Sequence, residues 1–252
     1  MKFIIISEAN LASKNMGKFL ANLPKDVKII KTQKSVLELE SDLIKLKDAE
    51  LVIVASTHKS KAKVPMLNCH PPGNWGSADL GGKEKTLSIA PALYLRQGVL
   101  EYQKLKSENS KLQKYEVGME ATHHGPTLDL PIMFVEVGST EKEWNDKEAC
   151  KAAAQVIMKL VSVRPEKTEV AVGFGGGHYC PSFNKRLNEI AFGHICPKYR
   201  AENLDETTIL RAFNKTVPKP NKALLDWKGL NSEQKKNITS VLDKHKIKWE
   251  KV

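Results

Sequence analysis

Ile132-Met-Phe-Val-Glu-Val-Gly138 is an apolar run that is interrupted by a single carboxylate. Apolar residues at successive positions, without period-two alternation, are typical of a strand buried on both faces. Leu51-Val-Ile-Val-Ala55 has the same character, and Met1-Lys-Phe-Ile-Ile-Ile6 opens the chain in the same way. Strands of this kind favour a largely parallel sheet with helices on both sides.

Helical patterns alternate with these strands along the chain. The clearest helix follows Ser139, where Thr140 and Glu143 fit a capping box and an apolar stripe of period near 3.6 continues to Val161. The alternation predicts an α/β protein with three α/β/α layers, a mostly parallel mixed sheet, and one domain over 1–252. The predicted strands are Lys2–Ser7, Val27–Lys31, Leu51–Ser56, Thr86–Ile89, Tyr115–Ala121, Ile132–Val137, Glu169–Gly173, Ala191–Cys196 and Ile247–Glu250. The other predicted helices are Leu11–Leu20, Val36–Leu46, Ala92–Leu105, Ser182–Ile190, Thr207–Asn214 and Ser232–Lys244.

The composition favours a globular protein with an anionic partner. Hydrophobic residues make up 41% and charged residues 27% of the 252 residues, and 40 Lys+Arg against 29 Asp+Glu leave a net charge of +11. Such a charge favours nucleic acid or an anionic surface. A spanning helix needs about 20 apolar residues, and no run of that length exists. The short N-terminal apolar run, followed at once by Glu8, does not suit a signal peptide. We therefore expect a cytoplasmic protein, not bound to a membrane, and a monomer.

Most of the seven histidines lie in or near predicted strand ends. Ligands of open α/β sheets bind beyond the carboxyl ends of the strands, so these histidines are expected to converge on one crevice. An imidazole there can ligate a metal, move a proton or bind phosphate. The residues concerned are His58, His123, His124, His178 and His194, with His70 in the irregular region 59–85.

Glu120-Ala-Thr-His-His-Gly-Pro126 is the densest cluster of chemically active side chains. If the strand continues, period two places Glu120, Thr122 and His124 on one face and His123 on the other. That arrangement suits a metal-ligand pair or a general base with its orienting residue, although a polar strand end with hydrogen-bonded histidines is an alternative. Glu136 lies inside an apolar strand, where a carboxylate is costly unless it is paired with Lys or Arg or bound to a metal.

Two further segments combine glycine with polar side chains. Val170-Ala-Val-Gly-Phe-Gly-Gly-Gly-His178 is a strand followed by a glycine loop, but it matches neither a dinucleotide fingerprint nor a P-loop. The glycines would let the backbone approach an anion and would deliver His178 beside it. In Asn68-Cys-His-Pro-Pro-Gly-Asn-Trp-Gly76, His70 and Asn74 could bind a base edge or an ester carbonyl. The alternative is a proline-fixed surface loop with Trp75 packed inward.

Five ordered motifs together resemble the archaeal and plant type of D-aminoacyl-tRNA deacylase. The resemblance covers essentially the whole chain. It implies hydrolysis of the ester between a D-amino acid and tRNA, a Zn²⁺ cofactor, and a core similar to that of peptidyl-tRNA hydrolase or of phosphorylase/hydrolase-like folds. The motifs are Ser56-Thr-His-Lys-Ser60, Asn68–Gly76, Glu120-Ala-Thr-His-His-Gly-Pro-Thr127, Phe134-Val-Glu-Val-Gly-Ser139 and Gly173-Phe-Gly-Gly-Gly-His-Tyr179.

The reaction and the metal that the resemblance implies predict a role for each candidate residue. A zinc ion lowers the pKa of a water to near neutrality, and a polyanionic tRNA would suit the positive charge. A non-catalytic tRNA- or RNA-binding protein, and a metal-dependent amide or nucleoside hydrolase on a similar core, stay open as alternatives. The predicted metal ligands are His124, Glu136 and His178. The predicted catalytic residues are Glu120 (base or fourth ligand), His123 and His70. The predicted substrate-binding residues are Asn10, His58, Lys59, Asn74, Gly175, Gly176 and Gly177.

Overall fold

The strands divide between two main sheets in this computed structural model, which describes residues 1–46 and 48–252. The strands are β1 (Lys2–Ser7), β2 (Val27–Thr32), β3 (Leu51–Lys59), β4 (Met66–His70), β5 (Ala90–Pro91), β6 (Glu116–Met119), β7 (Ile132–Ser139), β8 (Glu169–Phe174), β9 (Ile190–Cys196), β10 (Thr216–Val217), β11 (Lys222–Leu225) and β12 (Lys248–Lys251). The α-helices are α1 (Leu11–Gly17), α2 (Glu40–Leu43), α3 (Ala92–Glu108), α4 (Glu141–Trp144), α5 (Lys147–Ser162), α6 (Pro181–Asn184), α7 (Glu206–Asn214) and α8 (Ser232–Lys244).

The larger sheet changes direction in its middle. Its order is β2-β1-β3-β7-β4-β6, and β2, β1, β3 and β7 are mutually parallel. Strand β4 pairs antiparallel with β7 and parallel with β6, so the last two strands run opposite to the first four. The second sheet, β12-β11-β8-β9, is parallel throughout. The predicted α/β class with a mostly parallel mixed sheet is confirmed, although its strands form two main sheets.

The two faces of the larger sheet have different coverings. Ile4, Ile53 and Met133 belong to a core that also contains residues of α1, α3 and α5. Ile5 and Phe134 point to the opposite face and pack with residues of α2 and of the segment 128–130. Farther along that second face, β3 and β7 carry polar side chains in place of apolar ones, so this half of the face is available for a site.

Strand β4 is the main element that the sequence pattern did not reveal. Residues 59–85 were expected to be irregular because they contain Pro65, Pro71, Pro72 and several glycines, yet Met66–His70 is a fully buried strand between β7 and β6. Pairing with two neighbours satisfies its main-chain groups, which outweighs the weak local pattern. Strand β11 was also missed, and the strand predicted at Thr86–Ile89 is not formed, since Leu87 and Ile89 make only isolated bridges just before β5.

Several predicted helices differ in extent. The capping box of Thr140 and Glu143 is confirmed, but it begins the short helix α4, and Asp146 then starts α5 by accepting a hydrogen bond from Glu148 N at 3.0 Å. Helix α8 has the predicted bounds. The helix predicted at Val36–Leu46 is reduced to α2, and the one at Ser182–Ile190 to α6. Among the described residues, no helix has the length and apolar character needed to cross a bilayer.

Candidate active site

Five histidines and two glutamates meet on the free half of the larger sheet's second face. The reversal of strand direction between β7 and β4 brings them together, because residues from the end of β3 and from β7 then face residues from the ends of β4 and β6. We call this set the His/Glu cluster. Its members are His58 on β3, His70 at the end of β4, Glu120, His123 and His124 after β6, Glu136 on β7, and His178 after β8.

Glu120 is the most enclosed member of the cluster. Its side chain is completely buried, and Oε1 lies 3.0 Å from His58 Nδ1 and 3.5 Å from His178 Nε2. Oε2 lies 4.0 Å from His123 Nε2. None of these contacts has the alignment of a hydrogen bond, so both oxygens are buried without a partner. A buried carboxylate in this state is costly unless something further binds it.

Glu136 forms the second anionic centre. Its Oε2 lies 3.8 Å from His58 Nδ1 and 3.7 Å from His70 Nε2. His58 therefore lies between the two carboxylates. Glu136 is almost completely buried and has no Lys or Arg within 4.0 Å among the described residues, so the ion pair considered from the sequence is formed with histidines.

Three histidines of the cluster use the same ring nitrogen, Nδ1, to donate to a main-chain carbonyl. The Nδ1 atoms of His70 and His123 lie 3.3 and 2.8 Å from the main-chain oxygens of Pro71 and Ala121, and Nδ1 of His124 contacts its neighbour's carbonyl. A carbonyl only accepts, so each Nδ1 carries a proton, and whenever the ring is neutral the lone pair is on Nε2. Ligating histidines in metal sites show this pattern, in which the other ring nitrogen donates to a carbonyl or carboxylate.

The electrostatics of the cluster keep two of its histidines neutral. Burial, followed by the neighbouring His70, lowers the pKa of His124 to about 4, and the same causes lower the pKa of His123 well below its ordinary value. Burial would raise the pKa of Glu120, but the imidazoles of His178 and His58 hold it well below the usual range. Glu120 is therefore an ionised carboxylate beside neutral imidazoles at neutral pH.

Two other histidines of the cluster are biased toward the charged form. Burial opposes protonation of His58 and His70, but the carboxylates overcome it. Glu120 and Glu136 raise the pKa of His58, and Glu136 with Glu120 raises the pKa of His70. The cluster thus combines two anions with histidines of both protonation preferences.

The alternation of side-chain directions that was predicted from Glu120 to His124, with His123 and His124 on opposite faces, is wrong. His123 and His124 both face the cluster, with ring centroids 4.4 Å apart, while the Thr122 hydroxyl lies 3.0 Å from Nδ1 of His194, away from the cluster. Strand β6 ends at Met119, and His124 adopts φ +47°, in the left-handed region. The period-two rule therefore ceases to apply before the histidines are reached.

Two cavities open beside the cluster. The larger has a volume of about 450 Å³ and is lined by Asn10, Thr57, Lys59 and members of the cluster that include Glu136. The smaller has a volume of about 220 Å³ and is lined by Asn74, Trp75 and Arg200. His123, His124, His178 and Leu80 border both cavities, so the three histidines and Leu80 form the wall between them.

The predicted substrate-binding residues lie in different places. Asn10 caps α1 and donates to Thr57 Oγ1 at 3.0 Å, and with Lys59 it lines the larger cavity. Asn74 lines the smaller cavity, but its amide already donates to Gly81 O at 2.9 Å. His58, predicted as a substrate-binding residue, lies inside the cluster.

The glycine loop packs away from both cavities. Gly175 and Gly176 have positive φ, and an added Cβ would come within 2.9 Å of Leu230 and of Asp226 respectively. Glycine is thus required there by backbone and packing. Gly177 has open space, and the loop then delivers His178, whose carbonyl accepts from Ala121 N at 2.8 Å.

Sequence reasoning missed three polar residues around the cluster. Asn68 is fully buried opposite Glu136 in the β4–β7 pair, and neither atom of its amide has a hydrogen-bond partner. The Tyr179 hydroxyl lies 3.3 Å from His58 Nε2, and the Tyr199 hydroxyl lies 2.9 Å from His178 Nδ1. Recognising β4 as a strand would have revealed Asn68, because period two then places it with His70.

The cluster has the donor atoms to hold a metal ion. Three groups of donors each lie within 4.8 Å of one another, and they share members. The predicted ligands His124, Glu136 and His178 each belong to a different group. The groups are His70 with His123 and His124, Glu120 with His123 and His178, and His58 with Glu120 and Glu136.

Comparison with known proteins agrees with the resemblance seen in the motifs. The family model of D-aminoacyl-tRNA deacylase matches residues 45–250. A D-aminoacyl-tRNA deacylase of Thermococcus kodakarensis is 39% identical over 198 residues, which cover 77% of this chain and 71% of that protein. One of Methanocaldococcus jannaschii is 34% identical, with all of both chains covered. A solved structure of a conserved protein of unknown function aligns with a TM-score of 0.90 and 27% identity over 100% of this chain and 95% of the other. The chain therefore belongs to the D-aminoacyl-tRNA deacylase family.

Proposed function

We propose that this chain hydrolyses the ester bond of D-aminoacyl-tRNA and releases the free D-amino acid and the tRNA. The names of its relatives supply the substrate. The observation that carries the proposal is the His/Glu cluster at the wall of an open cavity. A protein that only binds RNA has no need for two carboxylates buried among histidines, because their burial lowers its stability.

Zinc is the metal that we propose for the cluster. The orphaned oxygens of Glu120 and the orphaned Nε2 of His70 support a bound cation, because they lack any other partner. Imidazole nitrogen is an ordinary zinc ligand, and His70, His123 and His124, which form one donor group, supply it, while Glu120 lies beside His123 and is left free to act on a bound water. When bound, zinc would lower the pKa of a water and polarise the ester carbonyl.

The side chains of the cluster can perform the proton transfers of the reaction. Ester hydrolysis removes a proton from water and supplies one to the departing ribose hydroxyl. Glu120 is ionised and is placed to accept the first proton. His178 contacts both Glu120 and the Tyr199 hydroxyl, so it joins the buried carboxylate to the cavity and is placed to move the proton outward.

The larger cavity suits the 3′ end of the tRNA. Asn10, Thr57 and Lys59 provide hydrogen-bond donors and a positive charge next to the cluster. The net charge of +11 favours a polyanion in a salt-dependent manner. Every residue of the cluster comes from one chain, so we propose that a monomer is active, and we place it in the cytoplasm, where charged tRNA is used.

The direct test compares hydrolysis of D-tyrosyl-tRNA and L-tyrosyl-tRNA, before and after treatment with a chelator. We expect cleavage of the D-ester alone, its loss after chelation, and its recovery with added zinc. The variant His245→Gln serves as a control, because His245 is an exposed histidine outside the cluster. It is expected to retain full activity.

Three other outcomes of this test would change the proposal. Cleavage of neither ester by protein that still binds tRNA would favour a non-catalytic RNA-binding protein. D-selective cleavage by protein shown by elemental analysis to lack metal would retain the deacylase and remove zinc from the proposal. Equal cleavage of both esters would contradict the assigned substrate.

A further inference from the structure

Two tryptophans and two lysines form a compact patch at one edge of the second sheet. The rings of Trp227 and Trp249 stack with centroids 5.9 Å apart and an interplanar angle of 5°. Lys251 Nζ lies 4.1 Å from the Trp227 ring centroid and Lys235 Nζ lies 5.0 Å from it. We call these four residues the Trp227 patch.

The two lysines are held in place without being neutralised. Cation–π contact with Trp227 restricts two long side chains that are otherwise mobile. Among the described residues, neither ammonium lies within 4.0 Å of a carboxylate, as the nearby acidic groups have other partners. Asp243 accepts from Trp249 Nε1 at 2.9 Å, and Glu250 pairs with Lys222 at 2.9 Å. Two ordered positive charges thus remain available to an anion.

His178, a member of the His/Glu cluster, and the Trp227 patch lie at the same end of the second sheet. Its parallel strands end together, so β8 leads to His178, β9 to the segment 198–200, and β11 to Trp227. Neighbouring strands are about 4.8 Å apart, which places β12 about 10 Å from β8. Gly176 O accepts from Lys198 N at 3.0 Å, so these strand-end loops also contact one another.

We propose that the Trp227 patch binds the phosphate backbone of the tRNA whose 3′ end enters the His/Glu cluster, an inference that rests on the proposed function. A phosphate chain is the anion that matches two fixed ammonium groups beside an enzyme site for tRNA. Lys198 and Arg200 continue the positive charge toward the smaller cavity. Glu202 and Glu233 line a separate groove and would repel phosphate, so the backbone passes on the tryptophan side.

The test is the salt dependence of binding to uncharged tRNA, which requires no catalysis. We would compare the wild type with the double variant Lys235→Ala/Lys251→Ala. With the duplex slope of about −0.9 per phosphate contact, the loss of two contacts should make the slope of log K against log salt less negative by about 1.8 and weaken binding on the order of tenfold at 0.15 M salt. In deacylation, KM should rise while kcat is unchanged.

The matched control is Lys25→Ala/Lys104→Ala, which removes the same charge from exposed positions away from this edge. It should retain the wild-type slope. A third variant, Trp227→Leu, keeps both lysines and should weaken binding partly, because the ammonium groups lose their fixed positions. The melting temperature of each variant shows whether it is folded.

Failure of this inference can be told apart from failure of the proposed function. If both double variants bind tRNA with the same slope and affinity, the patch has no role, whatever the deacylase activity. If the Lys235/Lys251 variant loses affinity but the wild type cleaves no D-ester, the patch stands and the deacylase proposal falls.

Discussion

Nδ1 of His58 lies 3.0 Å from Oε1 of Glu120, although β7 and β4 lie between their strands in the sheet. His58 ends a strand of the parallel half, and Glu120 follows the last strand of the reversed half. Their contact therefore spans the point where the sheet changes direction. It also joins two of the sequence motifs in a single charged pair, so the site depends on the whole strand order.

Replacing Glu120 by Gln should abolish most of the turnover. The change keeps the size of the side chain but removes the charge that we assign to proton acceptance. Loss of a general base typically lowers kcat about 10²–10⁴-fold. Single-turnover hydrolysis of a D-aminoacyl ester measures this directly. Glu233→Gln, an exposed change on α8, is the control, and an undiminished rate in Glu120→Gln would show that another group accepts the proton.

Zinc should stabilise the folded protein. An ion that binds only the native state at about 100 times its Kd adds about 3 kcal/mol to the free energy of unfolding. For a chain of this size, that should raise Tm by several degrees. Magnesium is the control ion, because it prefers oxygen ligands and the cluster supplies mainly imidazole nitrogen. The variant His123→Ala should show a smaller zinc shift, and equal shifts with and without His123 would remove it from the ligand set.

His194 should make the protein less stable in mild acid. Its Nε2 lies 2.9 Å from Ser88 O and 3.2 Å from Lys215 O, so Nε2 is the donor and Nδ1 accepts from Thr122. Burial lowers the pKa of His194 to about 4 from an unperturbed 6.5, against the opposing effect of the two carbonyls. The unfolded chain therefore binds a proton in a range where the folded chain does not.

Because the unfolded chain binds this proton and the folded chain does not, the free energy of unfolding falls as the pH is lowered. The contribution of His194 to the free energy of unfolding is complete above pH 6.5 and is lost as the pH falls toward 4, for a total of about 3 kcal/mol. The variant His194→Gln keeps a donor near the Nε2 position and does not titrate. Its stability should decline less steeply between pH 6.5 and 4. Urea titrations at several pH values measure both curves, and identical slopes would contradict the assignment of a neutral histidine.

Asn68 should show opposite effects on stability and activity. Its buried amide has no hydrogen-bond partner, which costs free energy in a structure without a ligand. Asn68→Leu removes that cost, so its Tm should equal or exceed that of the wild type. If the amide serves the neighbouring Glu136, deacylation should fall at the same time. A variant with unchanged turnover would give Asn68 no part in the site.

Local patterns were sufficient for the parts of the fold that carry a strong signal of their own. The apolar runs predicted β1, β3 and β7, and the apolar stripe and capping box predicted helix formation after Ser139. The position of Glu136 inside an apolar strand already implied a buried carboxylate. Each of these signals depends on residues a few positions apart. At that distance, burial and main-chain hydrogen bonding impose a regular spacing of apolar residues along the sequence.

The arrangement of the site had no such local signal. Strand β4 is short and lies between prolines, and its main chain is paired by β7 and β6. Without it, the reversal of the sheet and the position of Asn68 cannot be inferred. The direction of His123 was also predicted wrongly, since the chain leaves the strand at Met119.

The residue types in the chain were therefore enough to indicate an α/β protein with a positive charge, and histidines and carboxylates suited to a common site. Only the tertiary structure showed that His58 contacts both Glu120 and Glu136, and that the Thr122 side chain points toward His194. The reason is physical. Burial of one face produces a periodic pattern of apolar residues at neighbouring positions. Strand order and the pairing of distant charges depend on contacts between residues far apart in the chain, which produce no local sequence pattern.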